Sequence, residues 1–405
     1  MSLSDPLAVL RRHWFPDLPA DHVGPPLGGG LSGSPVYAVR DVEGVELVLK
    51  AFAERATVEQ AVFVHELVDH LAAAGLPFIP RLVAARSHAS TTAPVGRSVR
   101  PRTLPASLVR DHGGRLWELA VRMPGHPLTH PAPTQLAAAM RALARIHAAA
   151  ARMPAAMSGT IVGGAVPASG IGPAPALIRR IEAAARMVAS PWEALRAIPA
   201  AGDTDPLRRT IGDRLEAVAP LVATPSVRRW LQSLATARPP VMELLPAVRD
   251  LRASHVLFHT PAPSVASTGD CRGAIPPGGE LDDTVGGVVD FHAAGIDTPA
   301  TDIARLLGDW VAVADCEDRG VFSAGVASAL VAYREERPLS CGEEQRVPWL
   351  IATAVVFGLD QWFRWILVEQ RRFAADRGMV VARVERLAAL LAAALETLLE
   401  RGPLV

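Results

Sequence analysis

Lysine is almost absent from this chain. Of its 41 lysines and arginines together, one is a lysine, Lys50, and the rest are arginines. A chain that uses arginine wherever a cation suffices points, by keeping one lysine, to a position that needs a compact ammonium rather than a planar guanidinium fork. Net charge is missing too. The 41 acidic residues cancel the basic ones, so no global field recruits nucleic acid or an anionic membrane, and any anion site is local. Cysteine is scarce: Cys271, Cys316 and Cys341 match no zinc pattern and leave an odd thiol under any pairing, which argues for a reducing cytosol. The longest apolar stretch, residues 350–368, carries Asp360, Gln361 and Arg364. Burying these in lipid is costly, so the stretch reads as a core helix and no membrane span is expected. The opening MSLSDPLAVLRRHWF has no signal-peptide core, because charged and aromatic residues interrupt it. A cytoplasmic protein is the expectation. No internal repeat is visible.

What the chain does have is length and apolar content. Its 405 residues, half of them apolar, suffice for two lobes with a sizeable core. Two stretches organise it: VRDLRASHVLF at residues 248–258 and VGGVVDF at residues 285–291. Each pairs one carboxylate with an apolar β-type run, which predicts Asp250 and Asp290 at neighbouring strand ends. That arrangement suits phosphoryl transfer, in which one Asp orients the attacking hydroxyl and another holds the magnesium that bridges the ATP phosphates. An Asp beside a strand is also an ordinary turn residue, so the pair needs support from elsewhere.

Support comes from the N-terminal part. Helical spacing over residues 6–14 is followed by LGGGLSGSPVYAV at residues 27–39, where glycines precede a β-run and let backbone N–H groups approach phosphate. The strand turns at residues 41–44, and the next, VELVLK, ends in Lys50. This order belongs to the nucleotide end of kinase-like folds and differs from a P-loop, where lysine directly follows the glycines. An amphipathic helix spans residues 58–74 and stops at Gly75. A kinase-like lysine pairs with a glutamate on this helix. Glu66 and Glu59 are the candidates, with Val64 at the expected spacing, so the partner of Lys50 is Glu66, Glu59 or neither.

A short strand is expected at residues 80–85, a loop at 86–105, and a strand pair turning at 111–114, with residues 118–124 as last strand and hinge. From Thr134 an Ala-rich helix begins. The change from strand-rich to helix-rich chain places a boundary near Gly125, dividing a nucleotide-binding lobe, 1–124, from a helical lobe, 125–405. A loop or flap at residues 155–175 and helices at 176–189, 204–221 and 226–235 follow. Asp302 is expected to cap a helix. Residues 320–399 read as helical, with Trp349, Phe357, Trp362, Phe363 and Trp365 forming either core or a wall of the substrate pocket.

Taken in order, these pieces resemble the aminoglycoside phosphotransferase and choline kinase-like group, the phosphotransferase enzyme family, across roughly residues 25–312. GGGLSGSPVYAV resembles its nucleotide loop, VLK its phosphate-binding lysine strand, ELAVRMPGHPL its hinge, and LARIHAA the helix behind it. VRDLRASHVLF looks like its catalytic loop, GVVDF its metal strand and DIARLL the helix after that. The resemblance implies an α+β, bilobal, protein kinase-like fold with a small antiparallel β lobe and a larger helical lobe. It implies ATP with Mg, or Mn, as cofactors and a small-molecule hydroxyl as acceptor. Asp250 takes the catalytic-base position with Arg249 beside it. Gly29, Gly30, Ser32, Gly33 and Lys50 would face the phosphates, and Glu118, Val121 and Met123 the adenine. Asp290 and His255 take the metal positions. The family's loop reads His-Gly-Asp with Asn five residues after the Asp; here Val248 and Arg249 precede Asp250, and His255 stands at the Asn position. Imidazole replaces an amide oxygen poorly at magnesium. His255 therefore binds a softer metal, contacts phosphate, marks a lost second metal site, or packs the loop. Residues 175–239 are not acidic, which disfavours an aminoglycoside acceptor. The rival to an active kinase is a catalytically impaired nucleotide-binding regulator or scaffold.

Overall fold

The computed structural model describes residues 5–27, 34–86, 104–154, 170–196, 205–259, 285–314, 319–371, 373 and 376–403. The glycine loop with Gly29, Gly30, Ser32 and Gly33 lies outside them, as do Cys271 and Cys316. In chain order the elements are α1 (Pro6–His13), β1 (Val23–Leu27), β2 (Val36–Arg40), β3 (Glu46–Ala51), α2 (Val58–Ala73), β4 (Leu108–Arg110), β5 (Leu116–Val121), β6 (His126–Pro127) and α3 (Pro133–Ala150). Then come β7 (Gly170–Pro173), α4 (Pro175–Ala189), α5 (Trp192–Arg196), α6 (Pro206–Val222), α7 (Pro225–Ala235), β8 (Val241–Ala247), β9 (Val256–Phe258), β10 (Val285–Val288) and β11 (Gly295–Asp297). Helices α8 (Pro299–Ala314), α9 (Arg319–Arg334), α10 (Cys341–Phe363) and α11 (Arg377–Arg401) complete the chain. Two compact units result: residues 1–168 with 250–295, and residues 169–249 with 296–405.

In the first unit a five-stranded antiparallel sheet runs in the order β1-β2-β3-β5-β4. Its two hairpins start alike. Asp41 Oδ1 accepts from the backbone N–H groups of Glu43 and Val45; Asp111 accepts from Arg115 N and, through its other oxygen, from Trp117 Nε1. Each aspartate closes its own turn. The sheet buries Leu47, Leu49, Trp117 and Leu119 against Leu10, Trp14 and Leu18 from the α1 region. Helix α2 starts at Thr57, whose hydroxyl accepts from Gln60 N, as an N-cap should. A second sheet, β10-β9-β6, pairs Val288 with Val256 and His126 with Phe258. Its fit is tight. A Cβ on Gly287 would lie 2.5 Å from the Met123 Cβ, and one on Gly125 (φ +96°) would lie 2.5 Å from the Phe258 carbonyl oxygen; only glycine permits either approach.

The second unit holds the sheet β11-β8-β7 and helices α4 to α11. Trp349, Trp362 and Phe363 are buried there, so the aromatic cluster is mainly core. With its continuation to Val368, α10 is long and apolar enough to cross a membrane by length and composition, and 61% of its most apolar window is buried within the protein.

Four expectations need correction. Residues 80–85 form a single bridge, Leu82 to Ala120, rather than a strand, because Pro80 removes a donor where a ladder would begin. Helix α3 starts one residue before Thr134, at Pro133, and Gln135 Oε1 caps it by accepting from Ala132 N. Residues 170–173 of the expected loop pair with β8. Asp302 lies inside the first turn of α8 rather than at its N-cap, and accepts from Val248 N and Arg249 N.

Candidate active site

Antiparallel pairing of β9 with β10 brings the segment after Asp250 beside the one before Asp290, as the two echoing stretches suggested. Lys50, near the end of β3, donates from Nζ to Asp290 Oδ1 at 2.5 Å. Among the described residues Asp290 is the partner of the single lysine, and neither Glu66 nor Glu59 takes that place. The other oxygen of Asp290 faces His255 Nε2 at 3.5 Å. Burial would raise the Asp290 pKa, but Lys50, then His255 and His292, outweigh it and hold the carboxyl down at about 2. For His255 burial dominates and lowers the pKa, against the attraction of Asp290 and Asp250. A neutral imidazole therefore faces a firmly ionised carboxylate. Asp250 Oδ1 accepts from Arg252 Nε at 3.1 Å, and its side chain is 37% exposed.

Two backbone positions here are unusual. Asp290 (φ 67°) and Arg249 (φ 66°) both sit in the left-handed region, which costs a non-glycine residue energy and persists only where surroundings over-determine it. At Arg249 that determination is visible. Fully buried Asp302 accepts from Val248 N at 2.7 Å and Arg249 N at 2.6 Å, one through each oxygen. Charge-assisted bonds of this kind are among the stronger ones in proteins. The Arg249 guanidinium lies 3.8 Å from Asp297 Oδ2, which also accepts from Arg179; burial and the neighbouring Arg179 lower its pKa. Arg249 thus braces its segment through Asp297.

Glu118, expected to face adenine, is held by two histidines. Its Oε1 accepts from His292 Nε2 at 2.8 Å and its Oε2 from His65 Nε2 at 3.0 Å. Val121 donates its N–H to Arg81 O, and Met123 lies over Gly287. No local sequence signal announced His65 or His292: each partner lies more than fifty residues from Glu118.

Among the described residues no group of three or more His, Cys, Asp or Glu side chains could hold a metal ion. Asp290 and His255 do form an oxygen–nitrogen pair, and the Nδ1 of His255 is buried without a hydrogen-bond partner, so nothing on that side fixes the ring's tautomer. Such a pair could give a divalent ion at most two protein ligands, and its nitrogen would suit manganese better than magnesium.

A two-unit α+β chain with an antiparallel sheet, a lysine strand and two carboxylates at paired strand ends has the protein kinase-like fold of small-molecule phosphotransferases. The chain belongs to the phosphotransferase enzyme family (APH), which it matches over residues 23–264. It is 39% identical over 88 residues to a homoserine kinase from Gluconacetobacter diazotrophicus (strain PAl5), a match covering 21% of this chain and 26% of that protein. The chain thus aligns with about a quarter of the length of that relative. In structure it is similar to spectinomycin phosphotransferase in complex with ADP and spectinomycin (TM-score 0.60, 9% identity, 98% and 99% of the two chains covered). It is also similar to a microcompartment-associated aminopropanol kinase (TM-score 0.53, 16% identity, 98% and 99% covered).

Proposed function

We propose that this protein is an ATP-dependent phosphotransferase that moves the γ-phosphoryl group to a hydroxyl of a small molecule. The observation that carries this reading is the convergence of the one lysine on Asp290 across 240 positions of sequence. Lys50 would neutralise the nucleotide phosphates, and Asp250 would orient the acceptor hydroxyl and receive its proton. Asp290 and His255 would hold a divalent ion, which when bound offsets the charge on the phosphates. Backbone groups of Val121 and Met123, and the loop of Gly29, Gly30, Ser32 and Gly33, would cradle adenine and phosphates. In this reading residues 1–124 act as the nucleotide lobe and 125–405 as the helical lobe, in a cytoplasmic enzyme.

The acceptor is sought among amino alcohols and hydroxylated amino acids, since relatives of this chain are named for homoserine and aminopropanol. ATP consumption measured over such a panel, with Lys50→Ala and Lys50→Arg alongside, tests the reading. Turnover should vanish in the first and fall strongly in the second, because a guanidinium cannot occupy the space of the compact ammonium. Unchanged nucleotide affinity and turnover in both would remove the reading's main support.

One observation favours the alternative, a kinase-like nucleotide binder without transfer activity: an imidazole stands where the family carries an amide oxygen. Nucleotide binding without any divalent ion, and no ATP consumption with any acceptor, would leave that alternative standing.

A further inference from the structure

Lys50 and Glu118 are directly paired residues of β3 and β5, so their side chains leave the same face of the sheet and opposite charges stand within reach of one another. They do not bind each other. Lys50 reaches Asp290, and Glu118 reaches His292, two residues further along the same turn. The ring of His292 is stacked on Phe52 with centroids 3.9 Å apart and planes 17° from parallel. On its other side Glu118 binds His65 of α2, which is fully buried and whose Nδ1 meets Ser107 Oγ at 2.8 Å. Gln60, earlier on the same helix, donates from Nε2 to Ala294 O at 2.5 Å. Two strands and one helix therefore grip a single turn whose first residue, Asp290, is in a left-handed conformation.

We infer that Glu118 is a positioning residue: by bridging His65 of α2 to His292, it does the work of the lysine–glutamate pair expected between β3 and α2, and it holds the Asp290 turn against Lys50. A valine at the expected glutamate position fits this, since His65 is its immediate neighbour and the carboxylate comes from β5. Both oxygens of Glu118 accept N–H donors, so a carboxamide of the same shape satisfies one histidine and turns an N–H against the other. The geometry stands by itself; its consequence for nucleotide rests on the reading of Lys50 and Asp290 as phosphate and metal contacts.

Because Lys50 is the only lysine, the test has a direct readout. Full-length wild type and Glu118→Gln are pulse-labelled with a small amine-acylating reagent, and the label on Lys50 is followed by peptide mass spectrometry. Thermal midpoint and ATP affinity are measured on the same samples. The expected result is a cooperative thermal transition with a lowered midpoint, faster labelling of Lys50 at temperatures well below it, and ATP affinity or turnover reduced on the order of tenfold or more, the scale seen when partners behind a ligating carboxylate are removed. His65→Gln, which cuts the bridge on the α2 side only, should shift labelling in the same direction, and it decides the matter if Glu118→Gln fails to fold. Unchanged Lys50 labelling in these variants overturns the inference. Faster labelling with unchanged ATP affinity overturns its nucleotide half. A wild type that binds no ATP sinks the phosphotransferase reading instead, while the labelling rates still judge the bridge.

Discussion

Two carboxylates, one in each unit, show how differently one charge can be housed. Asp360 on α10 is 1% exposed and accepts from Trp192 Nε1 and from Arg364 Nε through both of its oxygens, all at about 3 Å, with Arg364 one turn away on the same helix. It is closed off from solvent, and two of its three bonds come from its own helical turn. Asp290 is 41% exposed on its side chain, binds Lys50 through one oxygen, and turns the other toward an imidazole 3.5 Å away, beyond good hydrogen-bonding distance. Its supports come from distant strands. A buried ion pair closed off by its neighbours is poor evidence of function; a carboxylate with an oxygen facing no close donor is more informative.

Mutation should separate them cleanly. Asp290→Asn is expected to cut phosphoryl transfer by at least about a hundredfold and to remove metal-dependent nucleotide affinity in a protein that still unfolds cooperatively in urea. Asp250→Asn should spare nucleotide binding and lower turnover by about a hundredfold to ten-thousandfold, as for loss of a general base. Titration calorimetry with ATP distinguishes the two, and equal loss of binding in both would contradict their separate roles.

Asp360→Ala should do the reverse. Leaving Arg364 buried without its partner costs about 3–5 kcal/mol, read from urea unfolding, while the protein that remains folded keeps its nucleotide affinity. A stable Asp360→Ala protein would mean that the closed carboxylate is less tightly built than its bonds imply.

His255→Asn is a smaller change. If the imidazole is a ligand, wild-type turnover prefers Mn²⁺, and the substitution should move the Mn²⁺ to Mg²⁺ activity ratio toward Mg²⁺ by about tenfold, the lower end of what ligand-shell changes produce. A packing role would leave the ratio alone and lower only the thermal midpoint.

The mildest effect concerns pH. The Asp290 carboxyl titrates at about 2 in the folded protein against an ordinary 3.8, so its folded form is favoured at any pH above the ordinary value. That contribution is lost as pH falls through about 2. Glu118 behaves alike: burial would raise its pKa, but His292 and then His65 hold it well below the carboxylate range. Acid unfolding of Asp290→Asn and Glu118→Gln should accordingly be shallower below pH 4 than that of wild type, and superimposable acid limbs would sink the assignment.

Much of this was legible in order of residues. Lys50, Asp250 and Asp290 announced themselves because local patterns carry them: strands of alternating character, a lone lysine, two echoing carboxylate runs. Hairpin turns at Asp41 and Asp111 were readable for the same reason. What stayed hidden is long-range. The bonds of Glu118 to His65 and His292, the support of the 248–249 backbone by Asp302, and the choice of Asp290 over any glutamate of α2 all join residues that periodicity cannot relate. Asp302 was misassigned because an acidic residue in a helix's first turn has a local explanation that suffices until the neighbouring strand is seen.

The glycine pair of β10 has a mechanical meaning as well. Cβ atoms at Gly286 and Gly287 would stand 2.5 Å from the Pro124 carbonyl oxygen and the Met123 Cβ respectively, so the strand leading to Asp290 is pressed directly on the segment expected to grip adenine. The side chains of Met123, Leu257 and His259 fill the rest of that seam. The two backbones meet without a Cβ between them at these positions, so the path of residues 123–124 and the path of the strand leading to Asp290 are set together.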